Sequence, residues 1–310
     1  MKTVVLAGGT GGAMLAAGFQ SILPTRSDLT VIANTADDDE FWGLLVSPDV
    51  DAVVYRLAGA FNDETGYGVK GDTFDTLEAL VRLGEPGWFR IGDRDFATHL
   101  VRAEVLRSGH RLTEAALEVC RRWGLEARVL PMTDDRVRTR FATDHGSLSF
   151  QEYFVRERLR PTLRGIEFEG IESARPTPEV ISALGEADLV VIGPSNPLIS
   201  IDPILEVVGS ILSRDRTVAI TPIVGGAALK GPTAEMMRAM GFEASPVAVA
   251  KRYAGVASAF VIDSRDAELA SSVEGMGYRV IVCDTVMKGG GGALASAILT
   301  ALEGANTADR

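Results

Sequence analysis

A glycine-rich turn near the start of the chain constrains the fold more than any other feature. The apolar run Thr3–Ala7 is typical of a β-strand, and it stops at Gly8–Gly12, after which Ala13–Leu23 has helical composition. A second apolar run, Leu29–Ala33, follows at the distance expected for a βαβ unit. Because parallel strands need such a crossover, this opening predicts a parallel sheet covered by helices.

Later segments extend this pattern into one domain. Short apolar runs alternate with helical patterns up to about residue 282. Within this alternation, helical periodicity predicts an inserted helical subdomain at about 72–125, and alternating residues predict a β-hairpin at about 137–155. We therefore predict a doubly wound, mostly parallel, Rossmann-like α/β fold over residues 1–304, followed by a frayed tail at 305–310.

Composition narrows the class of protein. The chain is 46% hydrophobic and 24% charged, as in ordinary globular proteins, and its formal net charge of −11 argues against nucleic acid or an anionic membrane as the main partner. No apolar run reaches the roughly 18–20 residues of a bilayer span. The two cysteines, Cys120 and Cys283, cannot build a disulfide framework or a Cys-rich metal site. We expect a cytoplasmic enzyme or binding protein.

The glycine-rich turn predicts a phosphate-bearing ligand. Backbone N–H groups at the start of a helix, together with the helix dipole, favour an anion. A dinucleotide fingerprint that begins at Gly9 and Gly11 needs glycine or alanine at position 14, where this chain has Met14. A Rossmann oxidoreductase with an incomplete fingerprint, and a tight turn that binds nothing, are the alternatives at this point.

Acidic residues follow the second predicted strand. The cluster Asp37–Glu40 comes directly after it, and Asp49 and Asp51 follow within one short segment. Open α/β sheets bind ligands at the carboxyl ends of their strands, and carboxylates near phosphates suit Mg²⁺. We hypothesise that Asp37 and Asp51 hold Mg²⁺, and we interpret the last two residues of the cluster as a solvated turn.

Two further polar segments are candidate binding elements. Gly92–Asp95 precedes a predicted helix in which Asp95 and His99 share one face, while Asp93 is placed to cap the helix start. The loop Gly193–Ile201 follows a core strand and offers hydroxyl, amide and backbone groups suited to phosphate, base or sugar. None of the three histidines lies in a recognisable nucleophile motif, so we do not expect covalent catalysis.

Seven motifs follow one another along the chain. They are Gly8–Ala13, Asn34–Asp38, Ser47–Asp51, Gly92–Asp95 with His99, Pro131–Asp135, Gly193–Pro197 and Pro222–Gly226. Taken together and in this order, they resemble the 2-phospho-L-lactate transferase family of coenzyme F420 biosynthesis, including its phosphoenolpyruvate transferase variants, and the resemblance extends from Lys2 to about Met287. One departure is Ala227–Ala228, where many relatives carry a lysine, so Lys230 is the candidate for that phosphate contact.

This resemblance implies a cytoplasmic, homodimeric, Mg²⁺-dependent transferase that acts on small molecules. It would move a phosphorylated three-carbon acid, 2-phospho-L-lactate or phosphoenolpyruvate, from a GDP-linked donor to the ribityl hydroxyl of the deazaflavin Fo. The products would be F420-0 or dehydro-F420-0 and GMP. No residue identifies the acid. The alternative is a non-catalytic, nucleotide-sugar-binding regulatory protein of the same superfamily, which shares the glycine-rich opening.

We assign roles to individual residues on this basis. Asp37 or Asp38 would accept the hydroxyl proton of Fo, in addition to the metal role given to Asp37 and Asp51. The expected substrate contacts comprise a diphosphate cradle, a guanosine side and an acceptor side. These contacts are Gly9, Thr10, Gly11, Gly12, Asn34, Ser195 and Asn196, with Trp88, Asp93, Asp95 and His99 for the acceptor.

Overall fold

A computed structural model describes residues 1–229 and 231–308. The expectations for Lys230 and for the last two positions of the tail therefore lie outside the described residues. The strands are β1 (Thr3–Ala7), β2 (Leu29–Ala33), β3 (Asp39–Phe41), β4 (Leu44–Val46), β5 (Arg128–Pro131), β6 (Arg138–Thr143), β7 (Gly146–Ser149), β8 (Leu163–Glu169), β9 (Leu189–Ile192), β10 (Thr217–Ile220), β11 (Ile223–Val224), β12 (Ala227–Ala228), β13 (Ala259–Asp263) and β14 (Arg279–Cys283).

Eleven α-helices connect and cover the strands of the described chain. They are α1 (Gly9–Ile22), α2 (Pro48–Leu57), α3 (Asp75–Arg82), α4 (Asp93–Arg107), α5 (Leu112–Arg122), α6 (Pro178–Glu186), α7 (Asp202–Val208), α8 (Thr233–Ala239), α9 (Pro246–Arg252), α10 (Ala270–Glu274) and α11 (Gly292–Ala308). Two π-helical turns, Glu152–Arg156 and Pro197–Ile201, border the region described below. Short 3-10 turns occupy Arg26–Asp28, Gly209–Ile211, Arg214–Arg216 and Ser264–Leu269.

The central sheet has seven strands in the order β14-β13-β10-β9-β1-β2-β5. All neighbouring pairs in it are parallel, and Val5 of β1 lies opposite Val31 on one side and Val191 on the other. The predicted α/β fold with a parallel sheet is confirmed. Parallel neighbours require crossover connections, and each connection between successive strands of this sheet contains at least one helix, such as α1 between β1 and β2.

Both faces of the sheet are buried. Val4 and Leu6 of β1 point into one apolar core, whereas Val5 and Ala7 point into the other. Successive side chains of a strand face opposite sides, so a strand buried on both faces must be apolar throughout, as this one is. At roughly 25 cal/mol per Å² of apolar surface removed from water, these two cores supply the main favourable contribution to folding.

The strand order changes direction at β1. From β1 the chain passes to β2 on one side, and β9 later pairs with the other side of β1. Ligands of open α/β sheets bind in the crevice at the carboxyl ends of the strands beside such a switch point. The segments that leave these two ends are Gly8–Gly12 and Gly193–Asn196, which places two of the predicted binding loops side by side.

The region predicted as a helical insertion contains α3, α4 and α5. The region predicted as a hairpin holds β6 and β7, which pair antiparallel, and β8 adds a third strand to β6. The chain does not continue as a strand to residue 155, because it turns into a π-helix at Glu152–Arg156. Phe150, Tyr153 and Phe154 repeat at helical rather than strand spacing, and this spacing accounts for the difference.

Two helix boundaries also differ from expectation. Helix α1 begins at Gly9, so the glycines form the first helical turn rather than a separate loop before it. Helix α11 continues to Ala308, beyond Gly304, where we predicted that the ordered chain ends. Within the described ranges, none of the helices combines the length and the apolarity that a bilayer crossing requires.

Candidate active site

The first turn of α1 forms one wall of the candidate site. Gly9 has φ +61°, and a Cβ atom at Gly12 would lie 2.6 Å from Ser195 Oγ, so both positions require glycine. The Gly8 amide donates to Ser195 Oγ at 3.1 Å, which ties this turn to the loop after β9. The amides of the first helical turn have no acceptor within the helix; that of Gly9 donates to an Asp49 oxygen, and those of Thr10 and Gly11 can face an anion.

An asparagine connects two acidic side chains beneath this turn. Asn34 Nδ2 lies 3.1 Å from Asp37 Oδ2 and 3.0 Å from Asp49 Oδ2, and Ile199 O is a third acceptor at 3.3 Å. An amide group has two hydrogens, so it cannot satisfy three acceptors at once. Asp49 also accepts from the Gly9 amide at 2.6 Å, which joins the acidic pair directly to the glycine turn.

These carboxyl groups are buried without a cationic partner. Neither Asp37 nor Asp49 forms an ion pair with any described residue. Burial, and secondarily the charge of Asp49, raises the pKa of Asp37 well above its usual range. Burial also raises the pKa of Asp49 to about 6. Two buried carboxylates that share one amide and face a phosphate-type turn fit a divalent cation.

The chain would offer such a cation two carboxylates, those of Asp37 and Asp49. The described residues contain no group of three or more His, Cys, Asp or Glu side chains arranged as a metal cage. Magnesium characteristically takes one or two carboxylates and completes its shell with water and substrate phosphates. Asp37 and Asp49 would hold the cation, and it would neutralise phosphate charge.

Asp51, the other predicted metal ligand, has a different environment. Both of its carboxylate oxygens accept hydrogen bonds from the fully buried Arg102, one of them from Nη1 at 3.1 Å and the other from Nη2. This bidentate pair leaves the Asp51 charge already balanced. The geometry therefore favours Asp49 over Asp51 beside Asp37, and the metal assignment of Asp51 has no support from its contacts.

A histidine extends this ion pair. His99 Nδ1 lies 3.0 Å from Arg102 Nη1, and His99 Nε2 lies 3.2 Å from Asp95 Oδ1, which also accepts from the Tyr55 hydroxyl at 2.6 Å. Because a guanidinium can only donate, Nδ1 must accept, and the ring proton is assigned to Nε2. Burial alone would raise the pKa of Asp95, but the nearby His99 and Tyr55 outweigh it and lower that pKa.

A cleft with two lobes lies over these groups. The glycine lobe, about 570 Å³, is bordered by the glycine turn, Asp37 and the loop containing Ser195 and Asn196. The aromatic lobe, about 510 Å³, is bordered by Trp88, Phe89, Asp51, Tyr55, Asp95 and His99. Both volumes suit a small-molecule site. The two lobes share the wall residues Gly9, Thr10, Asp49, Gly66, Phe150 and Phe154.

Aromatic side chains build the outer wall of the aromatic lobe. Phe41, on the β3–β4 hairpin, stacks on Phe89 with ring centroids 3.7 Å apart, and it meets Trp88 edge to face at 5.6 Å. Contacts of this kind fix the rings against one another. The result is an apolar wall of interlocked rings, Trp88 and Phe89 being nearly perpendicular, in a lobe that also has the polar residues Asp51, Asp95 and His99 in its lining.

Most predicted site residues gather around this cleft. Gly9, Thr10, Gly11, Asp37, Ser195 and Asn196 line the glycine lobe, and Trp88, Asp95 and His99 line the aromatic lobe. Gly12 and Asn34 lie directly beneath and do not line either lobe among the described wall residues. Their individual roles stay predictions.

Two predicted residues lie elsewhere. Asp93 accepts hydrogen bonds from the Thr73 hydroxyl and from the amides of Asp75 and Thr76, so its carboxylate caps α3 and does not border the cleft. These bonds hold the pKa of Asp93 well below its usual range. Asp38 is buried behind the cleft, where it accepts from Ser47 Oγ at 2.8 Å, and burial raises its pKa to about 7.

Several cleft residues were missed by the sequence analysis. Asp49 was noted but ranked below Asp51. Phe150 and Phe154 stack with centroids 4.3 Å apart on the shared wall, and Arg158 lines the aromatic lobe. The helical spacing of the aromatic residues after Ser149 is the sequence signal for this part of the wall.

The buried carboxyl groups should make the stability of the metal-free protein fall as the pH rises. Asp38, with a pKa near 7, and Asp49, with a pKa near 6, keep their protons in the folded state after unfolded carboxyls have ionised near pH 4. The folded state then binds more protons, so the free energy of unfolding decreases with pH across this window. In chelator, we expect the melting temperature to drop by at least about 5 °C between pH 5 and pH 8.

A variant isolates the contribution of one group. Asp38→Asn cannot ionise, so its melting temperature should depend less on pH than that of the wild type. Addition of Mg²⁺ at pH 8 should raise the wild-type melting temperature, because the cation offsets the Asp37 and Asp49 charges. An Asp38→Asn profile as steep as that of the wild type would contradict this account.

Comparisons with known proteins identify the family. The family model described as 2-phospho-L-lactate transferase CofD matches residues 3–291. The chain is 43% identical over 289 residues to a Streptomyces griseus protein named phosphoenolpyruvate transferase, covering 90% of this chain and 91% of that one. It is 42% identical over 295 residues to a Methanopyrus kandleri protein named 2-phospho-L-lactate transferase, covering 93% of each.

A solved structure supports the fold alone. A crystal structure of a Bacillus halodurans protein of the UPF0052 family superimposes with a TM-score of 0.60 and 16% identity, covering 96% of this chain and 98% of that one. At this identity the likeness concerns architecture and carries no statement about ligands. The family match over nearly the whole chain, and the identities above 40%, confirm the resemblance seen in the motifs. The protein belongs to the 2-phospho-L-lactate transferase CofD family.

Proposed function

We propose that this protein transfers a phosphorylated three-carbon acid from a GDP-linked donor to the ribityl hydroxyl of the deazaflavin Fo, and releases GMP. Relatives at 42–43% identity carry the names of transferases for 2-phospho-L-lactate and phosphoenolpyruvate. The observation that carries the proposal is the meeting of two lobes at a wall formed by the glycine turn and Asp49. A donor in one lobe and an acceptor in the other would react at that wall.

The glycine lobe suits the donor. The first-turn amides of α1 would hold the diphosphate, and Ser195 and Asn196 would face the guanosine side. Asp37 and Asp49 would bind Mg²⁺, which, when bound, withdraws charge from the diphosphate as GMP leaves. Catalysis of this kind depends on positioning and electrostatics, so it needs no protein nucleophile.

The aromatic lobe suits the acceptor. A flat deazaflavin ring would pack against Trp88 and Phe89, with its ribityl chain directed toward the shared wall. The hydroxyl oxygen forms a new bond to the β-phosphorus while the bond from that phosphorus to the bridging oxygen of GMP breaks. Of the two predicted proton acceptors, Asp37 borders the cleft and Asp38 does not, so Asp37 is the carboxylate that would accept the hydroxyl proton.

Mass spectrometry of the reaction products tests the proposal. Fo, Mg²⁺ and three guanosine-diphosphate-linked acids, those of phospholactate, phosphoenolpyruvate and phosphoglycerate, are supplied in competition. We expect one F420-0-type product to dominate, with one GMP released per molecule formed. Binding of nucleotide without any F420-0-type product would favour the regulatory alternative. Release of GMP without transfer to Fo would contradict the assignment of the acceptor.

A further inference from the structure

An arginine beside the aromatic lobe has an unusual backbone conformation. Arg158 has φ +52° and the following Leu159 has φ +60°; in the described chain only Trp42 among the other non-glycine residues has a positive φ. Such conformations are unfavourable for residues with a side chain, and they persist where the surrounding structure imposes them. Here the Leu159 amide donates to Tyr153 O at 2.9 Å, which closes the chain back onto the preceding π-helix.

The charge of this arginine is unpaired, unlike those of its neighbours. Arg156 forms an ion pair with Glu152 at 2.9 Å, and Arg160 lies 3.6 Å from Glu157. Arg158 borders the aromatic lobe, yet it forms no ion pair or hydrogen bond with any described residue. Of the three arginines in this segment, Arg158 is therefore the one that borders the lobe and has no acidic partner among the described residues.

The remaining charged residues of the aromatic lobe are mainly acidic and would repel an anion. Asp49, Asp51 and Asp95 all border it, and only the Asp51 charge is balanced by a buried arginine. The other arginine among the described lining residues is Arg90, whose guanidinium lies over the Phe74 ring at 4.4 Å. An anionic group that enters the lobe would therefore need Arg158 as its counter-charge.

We propose that Arg158 binds the carboxylate of the acid that is transferred. This inference rests on the proposed function, in which the diphosphate lies on the glycine turn. The acid is attached beyond the second phosphate, so it would pass the shared wall at Asp49 and enter the aromatic lobe. A guanidinium presents two parallel N–H donors that match the two oxygens of a carboxylate. Arg158 is then a specificity-determining residue for acids that carry this group.

Kinetics with matched donors test the proposal. Arg158→Gln is expected to raise the donor KM by about 10- to 100-fold, the loss typical of a hydrogen-bonded charge partner. The donor KM of Arg158→Lys should lie between those of the wild type and Arg158→Gln, because lysine keeps the charge but lacks the two parallel N–H donors. With a donor analogue whose carboxylate is replaced by a carboxamide, wild type and Arg158→Gln should differ by less than about threefold. Arg160→Gln is the matched control and should behave as wild type.

A second variant separates binding from folding. Arg158→Gly accepts a positive φ without strain, so its melting temperature should equal or exceed that of the wild type while its donor KM rises as in Arg158→Gln. Unchanged donor KM in both variants would overturn the inference, as would a rise confined to the KM of Fo. If the wild type itself forms no product, the proposed function fails. If the wild type is active and the Arg158 variants are equally active, only the present inference fails.

Discussion

Asp37→Asn is expected to fold normally and to lose transferase activity by at least about 1,000-fold. The substitution removes a carboxylate from the buried pair beneath the glycine turn. The bound cation would be lost with it, and that cation would lower the free energy of the transition state by several kcal/mol. It also removes a buried carboxyl group whose pKa is raised by burial, so the melting temperature in chelator should equal or exceed that of the wild type. Steady-state kinetics with Fo and donor, combined with thermal unfolding, measure both effects.

The control for this variant is Glu40→Gln, which changes an exposed acid on the neighbouring hairpin. It should retain wild-type turnover. Binding of Mn²⁺, followed by electron paramagnetic resonance, should weaken strongly in Asp37→Asn and in Asp49→Asn. Near-normal turnover of Asp37→Asn would contradict the metal assignment. Unchanged Mn²⁺ binding in both variants would also contradict it.

The opening of the chain was sufficient to predict the fold class. An apolar strand, a glycine-rich turn, a helix and a second apolar strand form a βαβ unit, and Thr3–Ala7 is an interior strand of the resulting parallel sheet. The positions of the binding loops also followed, because the carboxyl ends of parallel strands share one edge. The part of the sequence after Ser149 was harder, since Leu148, Phe150 and Phe154 fit a strand and a helix almost equally well.

The choice between Asp49 and Asp51 could not be made from sequence. Both belong to the same acidic motif, but they lie two residues apart on α2 and so face nearly opposite directions. Asp49 contacts Asn34 and the glycine turn, and Asp51 contacts Arg102. Only the packing of α4 against this helix, which depends on contacts distant in sequence, decides which carboxylate is free for a ligand.

The sequence carries a signal for the burial of Arg102. Asp95, His99 and Arg102 repeat at spacings of four and three, which places all three on one face of α4. A fully buried arginine is rare unless it is paired, so an arginine on the core-facing side of a helix indicates a buried acid opposite it. The identity of that acid, Asp51, is a tertiary contact and could not be read from the spacing.

Arg102→Met is expected to destabilise the protein by about 3–5 kcal/mol, the cost of leaving a buried charge without its partner. Both oxygens of Asp51 would lose their donors, and His99 Nδ1 would lose the group that fixes its tautomer. The double variant Asp51→Asn with Arg102→Met removes both charges. It should recover most of that loss, because removing the whole ion pair destabilises the protein less than leaving one buried charge unpaired. Urea denaturation of the two single variants and the double variant measures the coupling. Equal stability of Arg102→Met and the double variant would show that Asp51 is not the charge that Arg102 balances.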